Sequence, residues 1–187
     1  MKKIVLTFGL IGGAILSATM LATLPFHDQI GFDKGAMTIG YTSMVIAFLL
    51  IFFGVRSYRD NVAGGSVRFG RAFGVAMLIG LVASACYVAT WEVIYYKLAP
   101  DYLVKYQEHM IEKTRASGAS QAELAQKRAD MEKFAALYEN PVINATLTLA
   151  EPLPVALIVS LVTAGVLSRK RREANGGTVV AGARAST

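Results

Sequence analysis

Two glutamates lie inside long apolar stretches of the sequence, and they are the residues best able to do chemistry. Glu92 belongs to the third apolar stretch, and Glu151 belongs to the fourth, where Pro152 and Pro154 follow it. A carboxylate at membrane depth is costly, so it faces the protein interior or water and marks binding sites and proton relays. Two carboxyl groups that approach closely can share a proton. These four residues form the candidate intramembrane polar site.

The two prolines bear directly on the backbone at Glu151. The residue before a proline disfavours helical geometry, and each proline removes a hydrogen-bond donor. One interpretation is a kink at the membrane interface with a hydrated glutamate. The other is a broken helix whose freed carbonyls lie beside the carboxylate, as in the discontinuous helices of transporters. The sequence favours the kink but leaves both open.

The elements that would position these residues are membrane helices. Only 17% of the 187 residues are charged and 54% are hydrophobic, whereas soluble domains carry about 25% charged residues. The apolar residues form continuous stretches over about residues 4–24, 36–55, 72–96 and 141–168. About 20 residues cross a bilayer as a helix, and continuous rather than alternating apolar residues exclude a barrel. We predict an all-α integral membrane four-helix bundle, forming a single domain over residues 1–172.

The first stretch could instead be a cleaved signal peptide. It is long for the apolar region of such a peptide. The cleavage rule also fits poorly at Ala18 and Ala22, because the residues two positions before them are Leu16 and Met20. We therefore expect a retained membrane helix. At the other end of the chain, residues 173–187 are small and polar, which predicts a disordered cytoplasmic tail.

The distribution of basic residues predicts the orientation. They cluster in the second connection and directly after the fourth stretch, and two lysines follow the first residue. By the positive-inside rule, both termini and the second connection face the cytoplasm. The basic residues then serve as inner-surface anchors on the lipid bilayer, and a nucleic-acid partner is not expected. The anchors are Arg56, Arg59, Arg68, Arg71, Arg169, Lys170, Arg171 and Arg172.

The connection between the third and fourth stretches, about residues 100–139, predicts an exterior helical hairpin. Pro100 and Asp101 can start a helix that runs to about Ala116, before a break at Gly118. Ser120 and Glu123 have the spacing of a capping box, which opens a second helix. Pro141 then starts the fourth span, where its missing N–H costs little.

Small residues recur at helical spacing in two of the predicted spans. Such stripes let membrane helices approach closely. We expect packing within one chain, and contact with a second copy or another membrane protein is the alternative. The helix-packing candidates are Gly9, Gly13, Ala72, Ala76, Gly80 and Ser84.

Nothing in the sequence indicates an enzyme. The histidines, His27 and His109, fall in predicted exterior segments, and Cys86 is the only cysteine. One thiol forms neither an internal disulfide nor a cysteine metal site. No zinc-protease, hydrolase or phosphate-loop motif occurs. We therefore expect no catalytic residue, no metal and no cofactor.

Several segments resemble a bacterial membrane family catalogued as domain of unknown function 4199. They are "FFGVRSYRDNVAGGSVRFGRAFGVAMLIG" (residues 52–80), "YVATWEVIYY" (87–96), "YENP" (138–141) and "EPLPVALIVSL" (151–161). The resemblance covers about residues 5–170. It implies four membrane helices and a bacterial inner-membrane location. It implies no activity, cofactor or functional residue.

These observations favour a multi-pass inner-membrane protein with a non-enzymatic structural or interaction role. A small transporter or proton-linked channel that uses Glu92 and Glu151 is the alternative. A membrane enzyme is the least favoured class.

Overall fold

The computed structural model describes residues 1–26, 32 and 34–168, and within these residues the regular structure is helical. A 3-10 turn, Leu24–Phe26, extends the first helix, and a single π-helical turn, Ile94–Leu98, extends the third. The helices are α1 (Lys2–Thr23), α2 (Lys34–Asn61), α3 (Phe69–Val93), α4 (Tyr102–Ala116), α5 (Gln121–Tyr138), α6 (Pro141–Ala150) and α7 (Pro152–Leu167).

Four helical segments are long and apolar enough to cross a membrane, namely residues 2–26, 37–61, 69–98 and 141–167. The protein is thus membrane-embedded, and the prediction of an all-α membrane bundle is confirmed. The helices run further than the apolar stretches do. Arg56 and Arg59 lie on the last turns of α2, and Arg71 lies on the first turn of α3. Long basic side chains reach water from a helix end, so the helix need not stop where the apolar residues stop.

Helix α1 packs closely on α3 because two glycines of α1 lie directly against side chains of α3. A Cβ atom added to Gly9 would lie 2.6 Å from the Cβ of Val82. At Gly13 the added atom would lie 2.5 Å from the Cβ of Cys86. No side chain fits in either gap, so glycine permits the contact.

The stripe of small residues on α3, from Ala72 to Ser84, is buried. Gly80 faces α7, where an added Cβ would lie 3.1 Å from the Cβ of Ala156. Phe48 and Ile51 of α2 are 0% and 1% exposed and fill the centre of the bundle. The stripe is thus occupied by helices of the same chain.

Helices α4 and α5 form the predicted hairpin at one end of the bundle. Gly118 turns the chain between them with φ of +81°, a backbone conformation that suits glycine. The side chain of Ser120 accepts a hydrogen bond from the backbone N–H of Glu123, whose carboxylate accepts one from the Ser120 N–H. The predicted capping box is therefore confirmed. The amide of Gln107 donates to the carbonyl of Met131 at 2.8 Å and ties the two helices together.

The fourth span begins as predicted, with Pro141 in the first turn of α6. The Asn140 side chain caps this helix by accepting hydrogen bonds from the next backbone N–H groups. The span is interrupted at Glu151, whose φ and ψ of −72° and −54° remain in the right-handed helical region. The Glu151 N–H still donates to the carbonyl of Thr148, at 3.3 Å. The prolines therefore interrupt the span at one residue without moving its backbone out of helical geometry.

Some predicted features fall outside the described residues. These are His27, the anchors Arg169, Lys170, Arg171 and Arg172, and the tail at 173–187.

Candidate functional site

A cavity of about 420 Å³ lies where the hairpin meets the neighbouring ends of α1, α3 and α6. Met20, Thr23 and Leu24 line it from α1 and its 3-10 extension. Six of the fourteen lining residues are aromatic and come from α3, α4 and α5. These aromatic residues are Tyr87, Trp91, Tyr102, Tyr106, Phe134 and Tyr138.

Glu151 brings a carboxyl group to this cavity. The hydroxyl of Tyr87, on α3, donates a hydrogen bond to its Oε2 atom at 2.8 Å. A donor on a carboxylate makes one of the stronger hydrogen bonds in proteins, so Tyr87 holds the group in place. In the described residues, the lining contains neither lysine, arginine nor histidine. The acidic group therefore faces the cavity without a basic partner there.

A chain of polar side chains fastens the hairpin to the spans beside the cavity. The indole N–H of Trp91 donates to the hydroxyl of Tyr138 at 2.9 Å, and this hydroxyl lies 3.4 Å from Oγ1 of Thr148. Thr148 in turn donates to the Oδ1 atom of Asn144 at 3.2 Å. Since the Thr148 proton points to Asn144, Tyr138 acts as donor to Thr148. The chain connects α3, α5 and α6, and Asn144 is fully buried.

The hairpin tyrosines keep their protons near neutral pH. Burial, with smaller contributions from Tyr138 and Glu151, raises the pKa of Tyr102 well above its ordinary value. Burial likewise raises the pKa of Tyr138. Their hydroxyls therefore remain neutral and add no negative charge to the cavity.

Several aromatic pairs at this end of the bundle meet edge to face, which fixes the orientation of their rings. Trp91 and Tyr102 have centroids 4.8 Å apart and an interplanar angle of 85°. Tyr95 and Tyr138 lie 5.3 Å apart at 80°. Phe32, from the connection between α1 and α2, packs on the edge of Tyr102. Such pairs lie at favoured aromatic geometry and stiffen the wall.

Glu92 has a different environment from Glu151 and does not line the cavity. Its Oε1 atom is buried and has no hydrogen-bond partner among the described residues. The tyrosines nearest along its helix, Tyr95 and Tyr96, interact with it electrostatically. The structure therefore pairs Glu151 with Tyr87 and places Glu92 elsewhere on α3.

The prolines of the candidate site act through the backbone. Pro152 is buried in the first turn of α7, and Pro154 is exposed. Neither lines the cavity. Their effect is to end α6 at Ala150, which leaves Glu151 at the junction of the two helices.

Sequence reasoning missed Tyr87 as the partner of Glu151, and it noted Thr148 only as one of several hydroxyls near the two glutamates. Both had a usable signal. Tyr87 and Trp91 are four residues apart and share a face of α3, and Thr148 and Glu151 are three apart on the fourth span. Residues at these spacings lie together on a helix surface.

Among the described residues, no group of three or more His, Cys, Asp or Glu side chains could hold a metal ion. A concave site with apolar walls and a few placed polar groups is typical of small-ligand binding. The fold and the cavity together define a membrane helix bundle with a ligand-sized cavity at its hairpin end.

The family described as protein of unknown function, DUF4199, matches residues 7–169, and the chain belongs to this family. The resemblance noted in the sequence is thereby confirmed. No curated protein and no solved structure matches the chain.

Proposed function

We propose that this chain is a multi-pass protein of the bacterial inner membrane that binds a small ligand in the cavity beneath its hairpin, without catalysing a reaction. The observation that carries the proposal is the position of Glu151. Its carboxyl group is held by Tyr87 at the wall of a cavity of about 420 Å³. This volume lies in the range of small-molecule sites, roughly 300–1,000 Å³.

In the proposed orientation both termini are cytoplasmic and the hairpin lies outside. Arg56, Arg59, Arg68 and Arg71 surround the α2–α3 connection, at the opposite end of those helices from the hairpin. Basic residues gather on the cytoplasmic side of membrane proteins, where they contact anionic lipid. The cavity is then a receptor site at the outer face of the membrane.

The packing below the cavity supports the binding of a ligand rather than its transport through the membrane. Helix α3 contacts α1 at Gly13 and α7 at Gly80 with little space for added atoms. Phe48 is fully buried between the helices. The bundle is close-packed there, so a ligand would enter and leave at the hairpin end.

The same packing bears on protein partners. A homo-oligomer or another membrane protein would use the apolar side chains on the bundle surface, because the stripe from Ala72 to Ser84 is buried. Ile158 and Val162, which are 61% and 60% exposed, are examples of such surface residues on α7.

The proposal is tested by thiol labelling from outside the cell, in a chain that carries Cys86→Ala. Leu147 lines the cavity, and its neighbour Thr146 does not. We expect Leu147→Cys to react with the neutral polar reagent hydroxyethyl methanethiosulfonate at least ten times faster than Thr146→Cys. No reaction at position 147, or a rate there no higher than at position 146, would refute the proposed site.

Proton-linked transport is the second candidate, and the buried Oε1 atom of Glu92 favours it. A carboxyl oxygen without a hydrogen-bond partner suits a group that binds and releases a proton. The test compares Glu92→Gln and Glu151→Gln with the unmodified protein in proteoliposomes that contain a pH-sensitive dye. Transport requires that at least one variant lose proton flux. Unchanged flux in both variants excludes this candidate.

A further inference from the structure

We propose that the ligand of the cavity is an organic cation, with an amine or quaternary ammonium group on an apolar body. This inference rests on the proposed function, because it assumes that the cavity binds a ligand. It adds the chemical class of that ligand and the group that selects it, Glu151.

Charge is the first argument. Glu151 is the acidic residue of the lining, and no basic side chain from the described residues lines the cavity with it. The salt bridges of the hairpin lie elsewhere, for example between Lys105 and Asp101 at 2.9 Å. An opposite charge within about 4–6 Å favours the charged form of a carboxyl group. The described residues supply none at this wall, so a bound cation would complete the pair.

The second argument is that one oxygen atom of the Glu151 carboxylate is available to a ligand. Tyr87 occupies Oε2, while Oε1 accepts no hydrogen bond from the described residues and Glu151 is exposed at the cavity wall. A carboxylate has lone pairs for several donors. Tyr87 thus orients the group and leaves an oxygen for an N–H donor or an ammonium charge.

The aromatic walls are the third argument. The face of an aromatic ring is negative and attracts cations within about 6 Å of its centre, with tryptophan the strongest. The rings of Trp91 and Tyr102 lie at 85° to each other and provide two nearly perpendicular walls. The hydroxyl of Tyr138 accepts a hydrogen bond from the indole N–H of Trp91. This arrangement holds an alkylated ammonium group and the apolar body attached to it. Among the described lining residues there is no positive group to attract an anion.

The experiment uses the purified full-length chain and the fluorescence of Trp91. This residue is the only tryptophan and lines the cavity, so its emission reports occupancy. The probe is benzyltrimethylammonium, and its matched control is neopentylbenzene, in which carbon replaces the charged nitrogen. We expect a saturable emission change and a Kd at least tenfold lower for the cation.

Variants test whether Glu151 causes the preference for the cation over its neutral analogue. Glu151→Gln should raise the Kd of the cation at least tenfold and leave that of neopentylbenzene unchanged. Glu139→Gln is the control, because it removes a nearby acidic side chain that does not line the cavity. It should leave both values unchanged.

A second readout covers the case in which Glu151→Gln does not survive purification. In membranes, the thiol of Leu147→Cys should react at least tenfold faster with trimethylammonioethyl than with sulfonatoethyl methanethiosulfonate, after correction for their rates with free thiol. Glu151→Gln should abolish that ratio.

The outcomes separate this inference from the proposed function. If Leu147→Cys reacts with the neutral reagent but the two charged reagents react alike, the cavity is real and the cation proposal is wrong. The cation proposal is also wrong if benzyltrimethylammonium produces no saturable change, or binds no better than its neutral analogue. If position 147 does not react with any of the reagents, the proposed function itself fails.

Discussion

The hydroxyl of Tyr87 donates a 2.8 Å hydrogen bond to Oε2 of Glu151, across 64 positions of sequence. The bond joins α3 to the junction of α6 and α7 and fixes the carboxyl group at the wall of the cavity. Glu92, the other carboxylate of the candidate polar site, takes no part in it. The proposed binding site therefore depends on one acid and one tyrosine rather than on two acids.

Tyr87→Phe tests the orienting role of this bond. The variant keeps the ring and the carboxylate but frees Glu151 to change rotamer, since a hydrogen bond to a charged group contributes about 1.5–3 kcal/mol. We expect the Kd of benzyltrimethylammonium to rise about tenfold, equivalent to about 1.4 kcal/mol, and the preference over the neutral analogue to persist. Tyr41→Phe, on the exposed surface of α2, should leave the Trp91 titration unchanged. An unaltered Kd in Tyr87→Phe would contradict the role.

Tyr138→Phe tests the attachment of the hairpin. It removes the acceptor of the Trp91 indole N–H and the neighbour of Thr148. Leaving buried polar groups without partners costs about 1–3 kcal/mol. Hydrogen exchange should accelerate along α5 while the central part of α3 is unchanged. Leu137→Ala, at a side chain that is 55% exposed on the same helix, should exchange like the unmodified chain. If the amide hydrogens of α5 exchange as slowly in Tyr138→Phe as in the unmodified chain, Tyr138 is not the attachment point of the hairpin.

Gly13→Ala tests the close approach of α1 and α3. The added methyl group would lie 2.5 Å from the Cβ of Cys86, and overpacking of this kind costs about 1–3 kcal/mol. The control is Gly74→Ala, since nothing lies within 4 Å of an added Cβ there. Alanine in a helix is favoured over glycine by up to about 1 kcal/mol, so the control should melt at the same or a higher temperature. Thermal unfolding in detergent measures the melting temperature of both variants. A melting temperature of Gly13→Ala equal to that of the unmodified chain would show that the helices are further apart.

The hairpin should become less stable in acid through its capping box. Hydrogen bonds from the backbone and side chain of Ser120 lower the pKa of Glu123 below its ordinary value of 4.5. A group whose folded pKa is lowered stabilises the fold above its unfolded pKa, and this contribution is lost as the pH falls through the folded value. Proteolysis at residues 117–120 should therefore be faster at pH 3 than at pH 7.

Glu123→Gln should remove most of this pH dependence, because glutamine does not titrate. Glu132→Gln, on the same helix and exposed, should retain it. If both variants respond to pH like the unmodified chain, another group controls the hairpin.

Cysteine labelling tests the orientation proposed from the basic residues. In a chain with Cys86→Ala, Ser117→Cys lies at the hairpin turn and Ser66→Cys in the α2–α3 connection, and both positions are exposed. An impermeant maleimide added to intact cells should label position 117 and spare position 66. Labelling of position 66 alone would reverse the topology.

Features set by near neighbours in the chain could be predicted from the sequence. The four spans follow from the length of apolar stretches, because about 20 residues cross a bilayer. The helix that begins after Ser120 follows from a capping box of four residues. Pro141 opens α6 because the first turn of a helix does not need its N–H. Each rule depends on one continuous segment of the chain, so tertiary contacts were not needed to apply it.

The sequence predicted the position of the interruption at Glu151 but not its backbone geometry. The prolines indicate that the helix is disturbed there, yet the backbone of Glu151 keeps right-handed helical angles. Local preference against this conformation before proline is modest. Packing of α7 along α3, with Ala156 against Gly80, holds the second helix in place and limits the interruption to one residue.

The sequence by itself determined the class of protein, the spans, the hairpin and the residues able to carry charge at membrane depth. Only the tertiary structure decided which of them meet. The rotation of α3 about its axis brings Tyr87 rather than Glu92 to Glu151. The hairpin packs against the end of the bundle and thereby places Tyr102 and Tyr138 over the same cavity. These arrangements depend on side-chain packing between helices far apart in sequence, which no local spacing rule contains.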